Sequence, residues 1–217
     1  MKTLAAFLLL SCAAFAATPR LIYSRTFPGS SPEYFRLTID SAGDLEYSET
    51  LKDDQPPLRT HMEESETAPL FDMTTKLNCF KTPLESGLKV ANTGKKTFRY
   101  EDANGVSFET TFNYSVNETA QKLLAKLEQI AASERAYLDL DRTIHFDKLG
   151  VNDALAEIEE LWIRKQLAAP EQFVPLLTRV ASHESFMHLA RERAARLKDE
   201  FEKPVAASVD ASDPKER

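Results

Sequence analysis

The sequence predicts an α+β protein, and three observations predict it. The first half of the chain carries strands of period two, joined by turn residues. Residues 117–150 read as one long amphipathic helix. Beyond it come shorter apolar stripes at helical spacing. The expected architecture is an antiparallel β-sheet with one packed helix in the N-terminal half (17–116). A long helix and a small helical bundle are expected in the C-terminal half (117–203).

In chain order, residues 20–27 suit a first strand, closed by the rigid segment Phe27-Pro28-Gly29-Ser30-Ser31-Pro32. Over residues 34–40, Phe35, Leu37 and Ile39 alternate with Arg36 and Thr38. Ser41-Ala42-Gly43-Asp44 then turns the chain into residues 45–50, which makes a hairpin. Residues 58–62 and 88–90 suit two short strands. Asn104-Gly105, a dipeptide favoured in tight hairpin turns, joins residues 96–101 to 106–113. A sheet of five to seven strands follows, with one aromatic, buried face and one face rich in Thr, Lys and Glu.

Residues 69–80 have a helical period with Leu70, Met73, Leu77 and Phe80 on one face, Pro69 in a first helical position and Cys79 pointing away. In the long helix, Ala120, Leu123, Leu124, Leu127, Ile130, Ala131 and Leu138 form the apolar stripe. Asn117 can cap it, or Ser115 can with Glu118 as a capping box, and Gly150 suits a left-handed C-cap. Asn152 can cap a second helix with Leu155, Ile158 and Trp162 inward. A third, with Phe173, Leu176, Leu177 and Val180, opens at Pro170 or nearer Pro175. Ser182 can cap a fourth, with Phe186, Leu189, Ala190, Ala194, Leu197 and Phe201 inward. The polar, alanine-rich tail 204–217 has no period and is expected to be disordered.

Residues 1–16 read as a signal peptide: Lys2, an apolar core from Leu4 to Leu10, and Ala14-Phe15-Ala16 before a cleavage point at Ala17. Leu9-Leu10-Ser11-Cys12 also resembles a lipobox, so a lipoprotein anchored through Cys12 is the alternative to soluble export. Either reading predicts a periplasmic, secreted or envelope location. No later apolar run reaches transmembrane length. The formal charge of the full chain is −7, and loss of Lys2 with the leader makes it one unit more negative. That balance argues against nucleic acid and against anionic lipid. With Cys12 in the leader, Cys79 stands alone, which excludes an internal disulfide framework. A lone thiol of this kind is most simply a small space-filling side chain.

Candidate sites are sparse. Glu134, Asp141 and His145 fall on the apolar face of the long helix, and polar groups in such a stripe need partners if they are buried. Asp141 and His145 are one turn apart, a spacing that suits a carboxylate and an imidazole on one metal, although no metal site or cofactor is predicted. His183-Glu184-Ser185-Phe186-Met187-His188 superficially resembles a zinc-protease helix, but its histidines are five apart rather than four. No glycine pattern of a phosphate cradle and no nucleophile elbow occurs. Arg191, Arg193 and Arg196 alternate with acids, as on a solvated face.

Three stretches carry a resemblance: residues 23–34 (Tyr23-Ser24-Arg25-Thr26-Phe27-Pro28-Gly29-Ser30-Ser31-Pro32-Glu33-Tyr34), residues 83–90 and residues 142–152. They resemble a family of exported bacterial proteins for which no activity is established, over most of the chain to about residue 203. The resemblance implies an address outside the cytoplasm and assigns no catalytic residue. The expected function is a non-catalytic binding or interaction module of the envelope, with an envelope protein as partner. Its rivals are a hydrolase or metal-dependent enzyme assembled from distant residues, and a lipid-anchored assembly factor.

Overall fold

Six strands form one antiparallel sheet in the order β4-β3-β2-β1-β5-β6. They are β1 (Arg20–Thr26), β2 (Tyr34–Asp40), β3 (Asp44–Ser48), β4 (Leu58–His61), β5 (Lys95–Glu101) and β6 (Ser107–Phe112). The computed structural model describes residues 18–52 and 55–203; the expected signal peptide (1–16) with Cys12 and the tail 204–217, expected to be disordered, lie outside them. Side chains alternate across the sheet, so one face collects Leu21, Tyr23, Phe35, Leu37, Ile39, Leu45, Tyr47, Phe98 and Phe112, all buried. Tyr23 meets Phe35 and Phe98 edge to face, with ring centroids 5.5 and 5.6 Å apart. The other face is open and carries an ion-pair lattice of Arg20, Arg99, Glu101 and Glu109. Arg20 and Arg99 supply the cations of these ion pairs; of the two lysines of β5, Lys95 lies exposed on this face, whereas Lys96 faces inward with Phe98 and is 7 % exposed.

Two strand expectations are corrected. Residues 88–90 form no strand: Val90 donates its amide to the Leu88 carbonyl at 3.0 Å, a local turn that replaces ladder bonds. Asn104-Gly105 does connect β5 to β6, but through a longer loop. Glu101 pairs with Ser107, and the Asp102 carboxylate accepts the Asn104 and Val106 amides at 2.8 Å each. An aspartate ready to close an Asx-type turn outcompetes the two-residue turn.

Two helices cover the aromatic face. α1 (Glu64–Lys76) begins a turn earlier than residues 69–80 suggest, and Pro69 lies inside it on the exposed side. Asn78, Cys79 and Phe80 then turn left-handed (φ 53, 51 and 63°), which buries Phe80 against Phe98 and leaves Cys79 partly exposed. α2 (Glu118–Phe146) is capped by Asn117, whose side chain accepts the Ala120 amide at 3.0 Å. It ends at Phe146. Gly150 has φ −72° and stands at the N-cap of α3 (Val151–Ile163), so it is not a left-handed C-cap; Asp147 closes the corner by accepting the Gly150 amide.

Asn152 does not cap α3; its carbonyl and amide oxygens hold Arg193 at 2.9 and 2.6 Å. Pro170 opens a 3-10 turn (Pro170–Phe173) and Pro175 lies in the first turn of α4 (Val174–Ser182), so both prolines mark starts. Ser182 ends α4 instead of capping the next helix, and α5 (His188–Phe201) follows a short loop, with Leu189 55 % exposed. His183 and His188 therefore sit on two different helix ends. α2 ties the layers together. Its residues Ala120 to Ala131 enter the core under the sheet, and Ala136, Leu140 and Ile144 enter a second core with Leu155, Phe173, Leu177 and Leu197. Among the described residues no helix is long and apolar enough to cross a membrane.

Candidate ligand groove at the sheet–bundle junction

The groove is built where α1, α2 and the segment after α3 meet. α3 ends with a left-handed residue, Lys165 (φ 55°): its amide bonds the Trp162 carbonyl, and the Gln166 amide bonds the Leu161 carbonyl. That reversal lays Leu167 and Ala168 across α2. The Ala168 amide is buried and donates to Ser133 Oγ at 2.8 Å, and Ser133 in turn donates to the Gln129 carbonyl. A second left-handed residue, Ala169 (φ 43°), then starts the 3-10 turn.

Between these walls lies an apolar cavity of about 230 Å³, lined by Met62, Pro69, Leu70, Met73, Ile130 and Leu167, with Ser65, Glu66, Lys126, Gln129 and Ala168. It adjoins a polar cavity of about 330 Å³ whose wall includes Arg59, His61, Glu63, Tyr137, Glu171 and Gln172. Glu66 belongs to both walls. Burial holds its carboxyl above the usual range; Glu171 adds to the rise, and the Ala169 and Glu63 backbone draws it part of the way back. Its Oε2 is shut off from solvent and accepts no hydrogen bond, and the same is true of Gln172 Oε1. The basic side chains of the rim are engaged elsewhere: Arg59 pairs with Glu46 at 2.9 Å and the His61 ring meets Asp44 at 3.1 Å.

Glu134 lies beneath the polar cavity. It is 1 % exposed, and its oxygens accept Thr60 Oγ1 of β4 and Gln172 Nε2 of the 3-10 turn, each at 3.1 Å. Burial pushes its carboxyl up to about 7, against the pull of those two bonds. It is a clamp that fastens the sheet edge and the bundle to α2. Asp141 lies two turns further along the helix, about 10 Å away. Asp141 and His145 do meet, at 3.4 Å, and His145 donates Nδ1–H to the Asp141 carbonyl while Arg179 donates to its Nε2. Both side chains are about 40 % exposed. The structure thus joins Asp141 to His145 and keeps Glu134 apart from them. Among the described residues no three side chains of metal-binding type stand together.

Glu66, Gln172, Thr60 and the groove itself are not legible from periodicity. Glu63, Glu64 and Glu66 ahead of an apolar stripe were the available signal, since carboxylates gather at helix starts. No protein-family model matches the chain, and no curated protein matches it either, so the geometry of this groove is what the functional reading rests on.

Proposed function

We propose that the protein is an exported, non-catalytic binding protein of the bacterial envelope, whose ligand lies in the groove between α1 and α2. The observation that carries the proposal is the pairing of cavities: an apolar one walled by two methionines opens beside a more polar one lined by charged and amide side chains. Clefts that combine apolar walls with a few placed polar groups are the usual form of small-ligand sites, and methionine thioethers adapt to varied shapes. Support for export comes from the signal-like leader and from the resemblance. A hydrolytic role for Glu134 has less support, because both its oxygens are taken and solvent does not reach it.

Methyl-labelled methionine makes the test direct. Met62 and Met73 line the groove, whereas Met187 lies at the start of α5. Titration with neutral 1-hexanol is expected to shift the Met62 and Met73 methyl resonances and to leave Met187 in place. A uniform response of all three, or none at all, overturns the proposal.

A further inference from the structure

We propose that the polar cavity beside Glu66 binds the ammonium head of a small amphipathic amine, whose apolar tail lies along Met62 and Met73; the inference rests on the groove being a ligand site. Two buried acceptors line that cavity without a donor, Glu66 Oε2 and Gln172 Oε1. The Gln172 amide is oriented by its Nε2–H donating to Glu134, which leaves its oxygen as the free atom. A head group that completes this site must bring N–H or O–H donors and no surplus acceptors. An ammonium has three donors and no acceptor.

Charge selects in the same direction. The charged neighbours that act on Glu66 are carboxylates, Glu171 and Glu63. Arg59 and His61, the basic groups on this rim, already hold Glu46 and Asp44. A carboxylate head would meet like charge, and a hydroxyl would leave the charge unanswered. Lys126 lies on the wall of the apolar cavity alone, exposed and resting on Gln129 at 3.5 Å, so the cation enters at the Glu66 end. The apolar cavity, about 230 Å³, exceeds the roughly 150 Å³ that holds a benzene ring. A short alkyl chain or a single ring fits it.

The experiment titrates hexylamine, 1-hexanol and hexanoate in parallel against the methyl-labelled full chain. Hexylamine is expected to bind about tenfold more tightly than 1-hexanol, as a charge-assisted hydrogen bond implies, with hexanoate the weakest. Glu66→Gln is expected to bring the amine down to the level of the alcohol, and its urea-unfolding midpoint shows that the variant is folded. Glu171→Gln, at an exposed position, reduces the preference part of the way. Equal binding of amine and alcohol at Met62 and Met73 overturns the inference and leaves the groove standing, as does a preference that survives Glu66→Gln. Silence of both methyls toward every probe removes the groove and the inference together.

Discussion

Glu134 and Thr60 lie 74 positions apart in the chain and meet at 3.1 Å, in an interior that leaves Glu134 1 % exposed. The contact fixes the short edge strand β4 to the middle of α2, and Gln172 completes it from the bundle side. A carboxyl in this position holds its proton to about pH 7, well above an ordinary glutamate.

The folded state therefore binds that proton more tightly than the unfolded chain does. The contribution of Glu134 to stability is greatest below about pH 4.5, falls as the pH rises to about 7 and is level above it, over a span of about 3 kcal/mol. Glu134→Gln keeps one acceptor for Gln172 and gains a donor for Thr60, so it should flatten this profile. Urea unfolding at pH 5 and pH 8 measures the effect: the variant should gain up to about 3 kcal/mol over the parent at pH 8 and little at pH 5. The same pH dependence in both proteins would refute it.

Ser133 ties the segment after α3 to α2 at 2.8 Å, beside a longer bond from Gln129 Nε2 to the Lys165 carbonyl at 3.4 Å. Ser133→Ala strands the buried Ala168 amide, which should destabilise the fold by about 1–3 kcal/mol and weaken 1-hexanol binding, because Leu167 and Ala168 form a groove wall. Loss of stability with unaltered binding would show that the wall holds without the tie.

Lys96 is a buried lysine with a complete set of acceptors. Its ammonium donates to Thr93 Oγ1 at 2.7 Å and to the carbonyls of Asn113, Gly94 and Thr93 at 2.9, 3.2 and 3.3 Å. Burial lowers its affinity for the proton, and those oxygens hold the charge in place. Lys96→Met fits the stem but leaves the acceptors unanswered. A loss of about 1–3 kcal/mol is expected in urea unfolding, with faster hydrogen exchange around residues 93–95; unchanged exchange would count against this role.

Lys165 occupies the left-handed place after α3 that glycine fills most comfortably. Its side chain is exposed. Lys165→Gly should raise stability by about 1 kcal/mol through relief of this conformation, read as a higher melting temperature. A lower one would mean that glycine's added freedom in the unfolded chain outweighs the relief.

Local patterns in the sequence carried the strands well. Phe35, Leu37 and Ile39 alternate so plainly that residues 34–40 coincide with β2, and Tyr47 and Phe98 declare the buried face in the same way. Turn chemistry was less legible, because Asp102 competes with Asn104-Gly105, and Asp147 replaces the left-handed glycine cap at the end of α2. The site was half legible. Glu134 stands out as a carboxylate in an apolar stripe, but Thr60 and Gln172 reach it only through tertiary packing, and no spacing rule links positions 60, 134 and 172. Glu66 was hidden by Pro69, whose preference for helix starts points five residues downstream of Glu64.

The strand order has a consequence for how this chain comes into being. β1 is the earliest strand of the described residues, yet it lies in the interior of the sheet, with β2 on one side and β5 on the other. Arg20 must wait for Glu101, its partner across β5, to be delivered. A chain threaded through a pore N-terminus first would carry β1 with one row of amides and carbonyls unanswered until most of the sheet had followed, and α2, which roofs Tyr23, would arrive later still. In such a passage this topology would postpone closure to the far side of the pore, with one edge of β1 open along its whole length until then.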